Sequence, residues 1–293
     1  MAQGDFRRWR VGDVTITRIF DLGEAPVDPG LLFPEVTPQT VREHAWLQPH
    51  FADASGQIIM SFHAFVIEAG TRRIIVDTCI GNDKPRKDSV FHMLQTSFLD
   101  DLSAAGYPPE SIDTVICTHL HADHVGWNTR LVDGRWVPTF PNARHFFVKA
   151  EVDHCRGRED EHFGDVFGDS VQPVMDAGLA DLIGPDHLLA EGIRLMPTPG
   201  HTPGHVSVRI SSRGEEAIIT GDMAHHPIQC SLPEASTHFC FDPAMAAATR
   251  RRFFSAVAGK PVLILGTHFG GPTAGYVEAH DAVWRFTADD AKA

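Results

Sequence analysis

Apolar and polar positions alternate through VTITRIF, so residues 11–20 predict a strand with one buried face. Residues 21–56 lose that alternation. They are rich in proline, glycine and polar side chains and predict a long loop with one helix near residues 38–46. Two strand-like runs follow, 62–68 and 72–77, parted by Ala69-Gly70-Thr71, which is a hairpin signal. Met93, Leu94, Phe98, Leu99 and Leu102 then recur at helical spacing, predicting a helix over 91–105 with Gly106 as its stop. Residues 113–117, DTVIC, form a short apolar strand that runs straight into THLHADHVG. A strand at 145–148 and helices at 149–155 and 171–180 complete this half.

The second half repeats the style. Strands are expected at 193–197, 206–211 and 216–220, a helix at 243–258, a strand at 261–265 and a last short strand at 277–284. No tandem repeat or low-complexity segment interrupts the chain. Strands dominate both halves and helices fall between and after them, which predicts an α/β fold of two sheets with helices outside. Residues 1–293 read as one domain with two similar halves, roughly 1–170 and 171–293.

Composition narrows the function. The 293 residues are 43% hydrophobic and 22% charged, which suits a globular protein with a real core. The formal net charge of −13 argues against nucleic acid or an anionic membrane as partner, since both carry phosphate. No run reaches the roughly 18 apolar residues that a membrane span needs. The first residues, MAQGDFRRWRVGD, have no apolar run behind their positive charge, so a secretory signal is not expected. Five scattered cysteines with no CxxC pair argue against a disulfide framework and for a reducing, cytoplasmic setting. Histidine is the exception to an ordinary composition: there are 18.

Their placement carries chemistry. THLHADHVG puts three imidazoles and one carboxylate within six positions, directly after a buried strand. His119 and His121 leave the same face of an extended segment. Asp123 and His124 follow where Ala122 and Gly126 permit a tight turn, and they point elsewhere, which suggests two neighbouring metals. A catalytic zinc takes three protein ligands and keeps one position open, so two sites need about six side chains. Three more candidates lie downstream, each after an apolar run and a glycine: His201 in MPTPGHTPGH, Asp222 in IITGDM and His268 in LILGTHF. Any one of them alone would read as an ordinary turn or surface residue; the ordered set does not.

HxHxDH, then PGHTPGH, then GD, then GTHF resembles the metallo-β-lactamase superfamily, over about residues 77–268. The resemblance implies a four-layer αβ/βα sandwich with metals at the sheet edge. It implies that His119, His121 and His201 hold one metal, that Asp123, His124 and His268 hold the second, and that Asp222 bridges them. Asp77, in IIVDTCIG, matches an acidic residue that would orient the ligand loop. The presence of Asp222 and the absence of a cysteine ligand disfavour antibiotic hydrolysis. His121, where the diiron members carry glutamate, disfavours redox chemistry and suits zinc.

The expected activity is that of a hydrolase whose two divalent ions, as zinc, share a hydroxide that attacks a lactone or carboxylic ester. Asp123 would orient the nucleophile and carry its proton. The quorum-quenching lactonases place tyrosine three positions after the bridging aspartate; here His225 stands there, in GDMAHH, as the candidate proton donor. That segment is similar to the lactonase-like and parathion-hydrolase-like branch. Phosphotriester or phosphodiester hydrolysis, a glyoxalase II-like thioesterase gripping its substrate with Arg250, Arg251 and Arg252, and a non-enzymatic binding module remain as alternatives. The expected partner is a small-molecule substrate, with no nucleic acid and no membrane, and a homodimer is left open.

Overall fold

The computed structural model describes residues 6–87, 90–159 and 163–289. Contacts divide the chain into two compact units, one within Met1–Leu22 and Phe62–Gly184, the other within Gly23–Ser61 and Pro185–Ala293. Each is built on a seven-stranded sheet.

The strands of the first sheet are β1 (Arg8–Val11), β2 (Val14–Val27), β3 (Ile58–Ala69), β4 (Arg72–Val76) and β5 (Thr114–Ile116). After a separate two-stranded ribbon of β6 (Thr129–Val132) and β7 (Arg135–Pro138) come β8 (Arg144–Val148) and β9 (Ala180–Ile183). The order is β1-β2-β3-β4-β5-β8-β9. β3 and β4 pair antiparallel, whereas β4, β5, β8 and β9 run parallel. Parallel strands covered on both faces read as unbroken apolar runs. That is why Ile74–Val76 and Thr114–Ile116 are buried at every position. From them Ile75 and Val115 enter a core with Ile19, Val66, Phe98, Leu102, Trp127 and Phe147. Each such buried side chain contributes about 2 kcal/mol of transfer free energy.

The second sheet runs β10 (Leu188–Ala190), β11 (Ile193–Pro197), β12 (Val206–Ser212), β13 (Glu215–Ile219), β14 (Val262–Leu265), β15 (Ala274–His280) and β16 (Val283–Ala288), in that order. All neighbours are antiparallel except β13 and β14, which are joined through the helix Pro243–Val257. Asp242 starts that helix by accepting the Met245 amide at 2.9 Å, and Pro243 takes the first turn. Ala246, Arg250, Phe253, Phe254 and Val257 recur at three- and four-residue spacing and form its buried face. The core of this unit gathers Phe33, Phe51, Met60, Ile218, Phe254, Ile264, Phe269 and Phe286.

Several elements depart from the sequence expectation. The strand expected at 11–20 is the start of β2, preceded by β1 across a tight turn at Gly12 and Asp13. The helix expected at 91–105 is confined to Phe98–Ala104. Met93 has φ +51°, and Asn82 holds Thr96 through bonds of 2.8 and 3.1 Å, so the chain before Phe98 is pinned in turns. The helix expected at 171–180 ends at Asp176, and the residues after Gly178 form β9 beside β8. The last strand is a hairpin, β15–β16, whose turn places Asp281 at φ +50°.

Candidate metal centre

Chain direction places the candidate ligands. In both sheets they follow the carboxyl ends of strands, where open α/β sheets bind ligands. Asp77 follows β4 and His119 follows β5, while His201, Asp222 and His268 follow β11, β13 and β14.

In the first unit His119, His121, Asp123 and His124 come together. His119 Nε2 and His121 Nδ1 face each other at 3.0 Å, and the His119 and His124 ring centroids are 4.0 Å apart. His119 and His124 are buried, whereas His121 and Asp123 are partly exposed. Asp123 Oδ2 lies 3.7 Å from His124 Nε2. Asp77 organises this cluster. Its carboxylate accepts the Thr118 amide at 2.7 Å and the Thr118 hydroxyl at 2.9 Å, and it pairs with His124 Nδ1 at 3.0 Å. A proton on Nδ1 leaves Nε2 of His124 as the lone-pair donor, the arrangement that metal-binding histidines adopt.

The loop carrying Asp77 is strained and tied down. Asp77, Cys79 and Asp83 all have positive φ. The amides of Gly126 and Trp127 bond to Cys79 O and Thr78 O, so the loop lies flat against the turn that carries Asp123 and His124. A methyl group on Gly126 would sit 1.6 Å from Ile80 O, which explains the glycine there. Asp21 anchors the same loop from β2, accepting the Ile80 amide at 3.0 Å and the Thr96 hydroxyl at 2.5 Å. Glu151, buried beneath the motif, accepts the Leu120 amide at 3.3 Å.

In the second unit His201, Asp222, His225 and His268 converge. Asp222, 3% exposed, presents Oδ2 to His201 Nε2 at 3.3 Å and to His225 Nε2 at 3.0 Å, and Oδ1 to His268 Nε2 at 3.1 Å. The outer nitrogens meet protein partners: His268 Nδ1 lies 3.0 Å from Ser61 O and His201 Nδ1 lies 3.6 Å from Cys240 Sγ. His205 accepts the Asp222 amide on Nε2 at 2.8 Å and donates from Nδ1 to Thr198 O at 3.1 Å. Its backbone grip fixes where Asp222 starts.

His225 is buried, with Phe33 edge-on at 6.4 Å and the His268 ring parallel at 5.9 Å. Burial pushes its pKa below the ordinary histidine value, and the Asp222 carboxylate opposes that push. Its Nδ1 meets no hydrogen-bond partner among the described residues.

The donor sets fit divalent cations. Three imidazole nitrogens lie 3.0 to 3.3 Å from one buried carboxylate, a convergence of donor atoms that a divalent cation can share. The donor atoms of His201, Asp222 and His225 lie within 4.8 Å of one another, close enough for a single ion. All-nitrogen and carboxylate donors with no thiolate belong to borderline ions such as zinc.

Sequence reasoning missed Asp21, Glu151, His205 and Cys240 as supports. Only His205, in HTPGH, carried a local signal. The arginine run expected as a grip for a charged substrate is engaged elsewhere. Arg250 is buried and bonds Pro233 O and Ser236 Oγ, Arg251 pairs with Glu234, and Arg252 bonds Thr249.

Comparison with known proteins accounts for this architecture. The family model of the metallo-beta-lactamase superfamily matches residues 63–268. An N-acyl homoserine lactonase from Bacillus sp is 27% identical over 169 residues, covering 56% of this chain and 59% of the relative. The chain thus matches little more than half the length of that relative. Among solved structures, a hydrolase of the beta-lactamase superfamily, AbOPH, superimposes with TM-score 0.80 at 27% identity, covering 98% of both chains. AidC, a dizinc quorum-quenching lactonase in complex with a product, gives TM-score 0.78 at 19% identity, covering 99% of both chains, which is a likeness of fold. With 206 consecutive residues under the family model, Asp77 and the ordered histidines and aspartates inside that span, and the fold shared end to end, the chain belongs to the metallo-beta-lactamase superfamily.

Proposed function

We propose that this protein is a metal-dependent hydrolase that opens lactones or cleaves carboxylic esters. In this reading His119, His121 and His201 hold one divalent ion, Asp123, His124 and His268 hold a second, and Asp222 is shared. Zinc is the ion that best suits the donors. The observation that carries the reading is Asp222: one buried carboxylate with imidazole nitrogens at 3.0 to 3.3 Å on both of its oxygens. Such ions supply Lewis acidity toward a carbonyl oxygen and make water nucleophilic near neutral pH.

The chain's own residues do the rest. Asp123, with its side chain 17% exposed, can orient the attacking water and take its proton on Oδ2. His225 Nε2, 3.0 Å from Asp222 Oδ2, can deliver a proton to the departing alkoxide. Asp77 and His205 hold ligands in place and touch no substrate. Phe33, packed on His225, supplies apolar surface suited to an acyl or aromatic group. A lactone or ester is favoured over a charged phosphodiester or glutathione thioester because the three arginines at 250–252 are already bonded to the protein.

The same reading makes the partner a small molecule and keeps a homodimer as a proposal. Five free cysteines fit a reducing, cytoplasmic setting. No helix among the described residues is long and apolar enough to cross a membrane.

A panel of γ-lactones, p-nitrophenyl esters, phosphotriesters, phosphodiesters and S-lactoylglutathione, assayed beside metal content, tests the proposal. Lactone or ester turnover should exceed the other classes, vanish with chelator and return with zinc. Turnover no faster than that of phosphodiesters refutes it. Asp222→Ala should bind fewer than two ions per chain; retention of two contradicts the shared role.

A further inference from the structure

We propose that Cys240 is a positioning residue for His201, acting as the outer partner that aims its ring. The inference rests on reading His201 as a metal ligand.

His201 directs Nε2 at Asp222, 3.3 Å away, so its inner nitrogen is the one available to an ion. The opposite nitrogen, Nδ1, lies 3.6 Å from Cys240 Sγ, within reach of a sulfur hydrogen bond. A neutral imidazole that offers its Nε2 lone pair must carry its proton on Nδ1, and the sulfur then accepts it. The partner on the outer nitrogen sets both tautomer and ring orientation.

The backbone around the pair makes the contact more than incidental. Phe241 N donates to His201 O at 2.8 Å, and Asp242 N donates to Gly200 O at 3.0 Å. Residues 240–242 are therefore zipped against the ligand's own turn. Gly200, at φ +133°, lets that turn lie close: a methyl group there would meet Ala246 N at 2.3 Å. Thr237 Oγ1 lies 3.5 Å from Cys240 Sγ and fixes the thiol from its other side. The Arg250 guanidinium lies beside the same sulfur and bonds Pro233 O at 2.8 Å and Ser236 Oγ at 2.6 Å. A buried cation beside the sulfur favours it as an acceptor. Ser236 and Cys240 are thus met by Arg250 of the helix Pro243–Val257, and Cys240 meets the ligand.

The test compares Cys240→Val, Cys240→Ser and His201→Ala with the wild-type full chain, each stripped of metal and checked for folding by circular dichroism. Zinc affinity is read by competition with a chromophoric chelator, and ligand geometry by the d–d absorption of the cobalt-loaded protein. We expect Cys240→Val to bind zinc about 10- to 100-fold more weakly, Cys240→Ser to recover most of that loss, and the cobalt bands to shift in both. His201→Ala should lose more than either. If His201→Ala binds like wild type, the ligand reading fails and this inference falls with it. If His201→Ala is impaired while Cys240→Val stays within about twofold of wild type, the ligand reading stands and the positioning role is overturned. Equal loss in the valine and serine variants also overturns it, because shape and not hydrogen bonding would then matter. Should the valine variant not fold, an unshifted cobalt spectrum in Cys240→Ser overturns the role by itself.

Discussion

Asp77→Asn should weaken metal binding while leaving the fold in place. Asp77 touches no ion in the proposed arrangement, yet it accepts from three donors: the Thr118 amide at 2.7 Å, the Thr118 hydroxyl at 2.9 Å and His124 Nδ1 at 3.0 Å. Asparagine keeps the volume and tolerates the left-handed backbone found at this position, φ +57°. It keeps only one oxygen, so its amide NH2 must face a donor. One charge-assisted bond lost in a buried site costs about 1.5 to 3 kcal/mol. The His124 ring would no longer be held with its proton on Nδ1, and loss of such a partner weakens affinity about 10- to 100-fold, or about 1.4 to 2.7 kcal/mol. The two ranges agree, as they should if one bond carries both effects. Chelator competition gives the metal affinity, and urea unfolding of the metal-free protein gives the stability term. The reasoning is refuted if the variant unfolds at the wild-type urea midpoint and binds zinc within about twofold of wild type.

Two further outcomes follow from buried histidines. His145, on β8 between Phe140 and Phe147, has its pKa lowered from 6.5 to about 4, chiefly by burial. The unfolded chain takes up a proton as pH falls through 6.5 while the folded chain refuses it until about 4, so stability is full above pH 6.5 and is lost across that window. By pH 5 the loss is about 2 kcal/mol. His145→Leu, metal-free, should lose that much less between pH 7 and pH 5 in urea titrations; equal losses in both proteins would sink the argument. His225→Phe should retain two ions and lose about 100-fold in kcat on lactones with poor leaving groups, and less on p-nitrophenyl esters, whose leaving group needs no proton. Loss of an ion instead would make His225 a ligand, as its 3.0 Å approach to Asp222 permits.

Much of the centre was legible because its information is local. The three imidazoles and the carboxylate of residues 119–124 are set by spacing along one turn, and His201, Asp222 and His268 each come after a strand-like run and a glycine. The central strands β4, β5, β13 and β14 announced themselves the same way, as unbroken apolar runs. Edge elements did not. β9 carries only ordinary polar alternation, and it is a strand because β8 offers it a parallel partner.

Asp77 apart, tertiary structure decided which side chains support the candidate ligands. Asp21 meets the Ile80 amide across 59 positions, Glu151 meets the Leu120 amide across 31, and Cys240 meets His201 across 39. No periodicity marks these residues, since hydrogen bonds between distant segments depend on where the sheets and turns bring the backbone. Composition and spacing specify which atoms can bind a cation. The aim and tautomer of those atoms come from partners far away in the chain, because a ring nitrogen is oriented by whatever packs behind it.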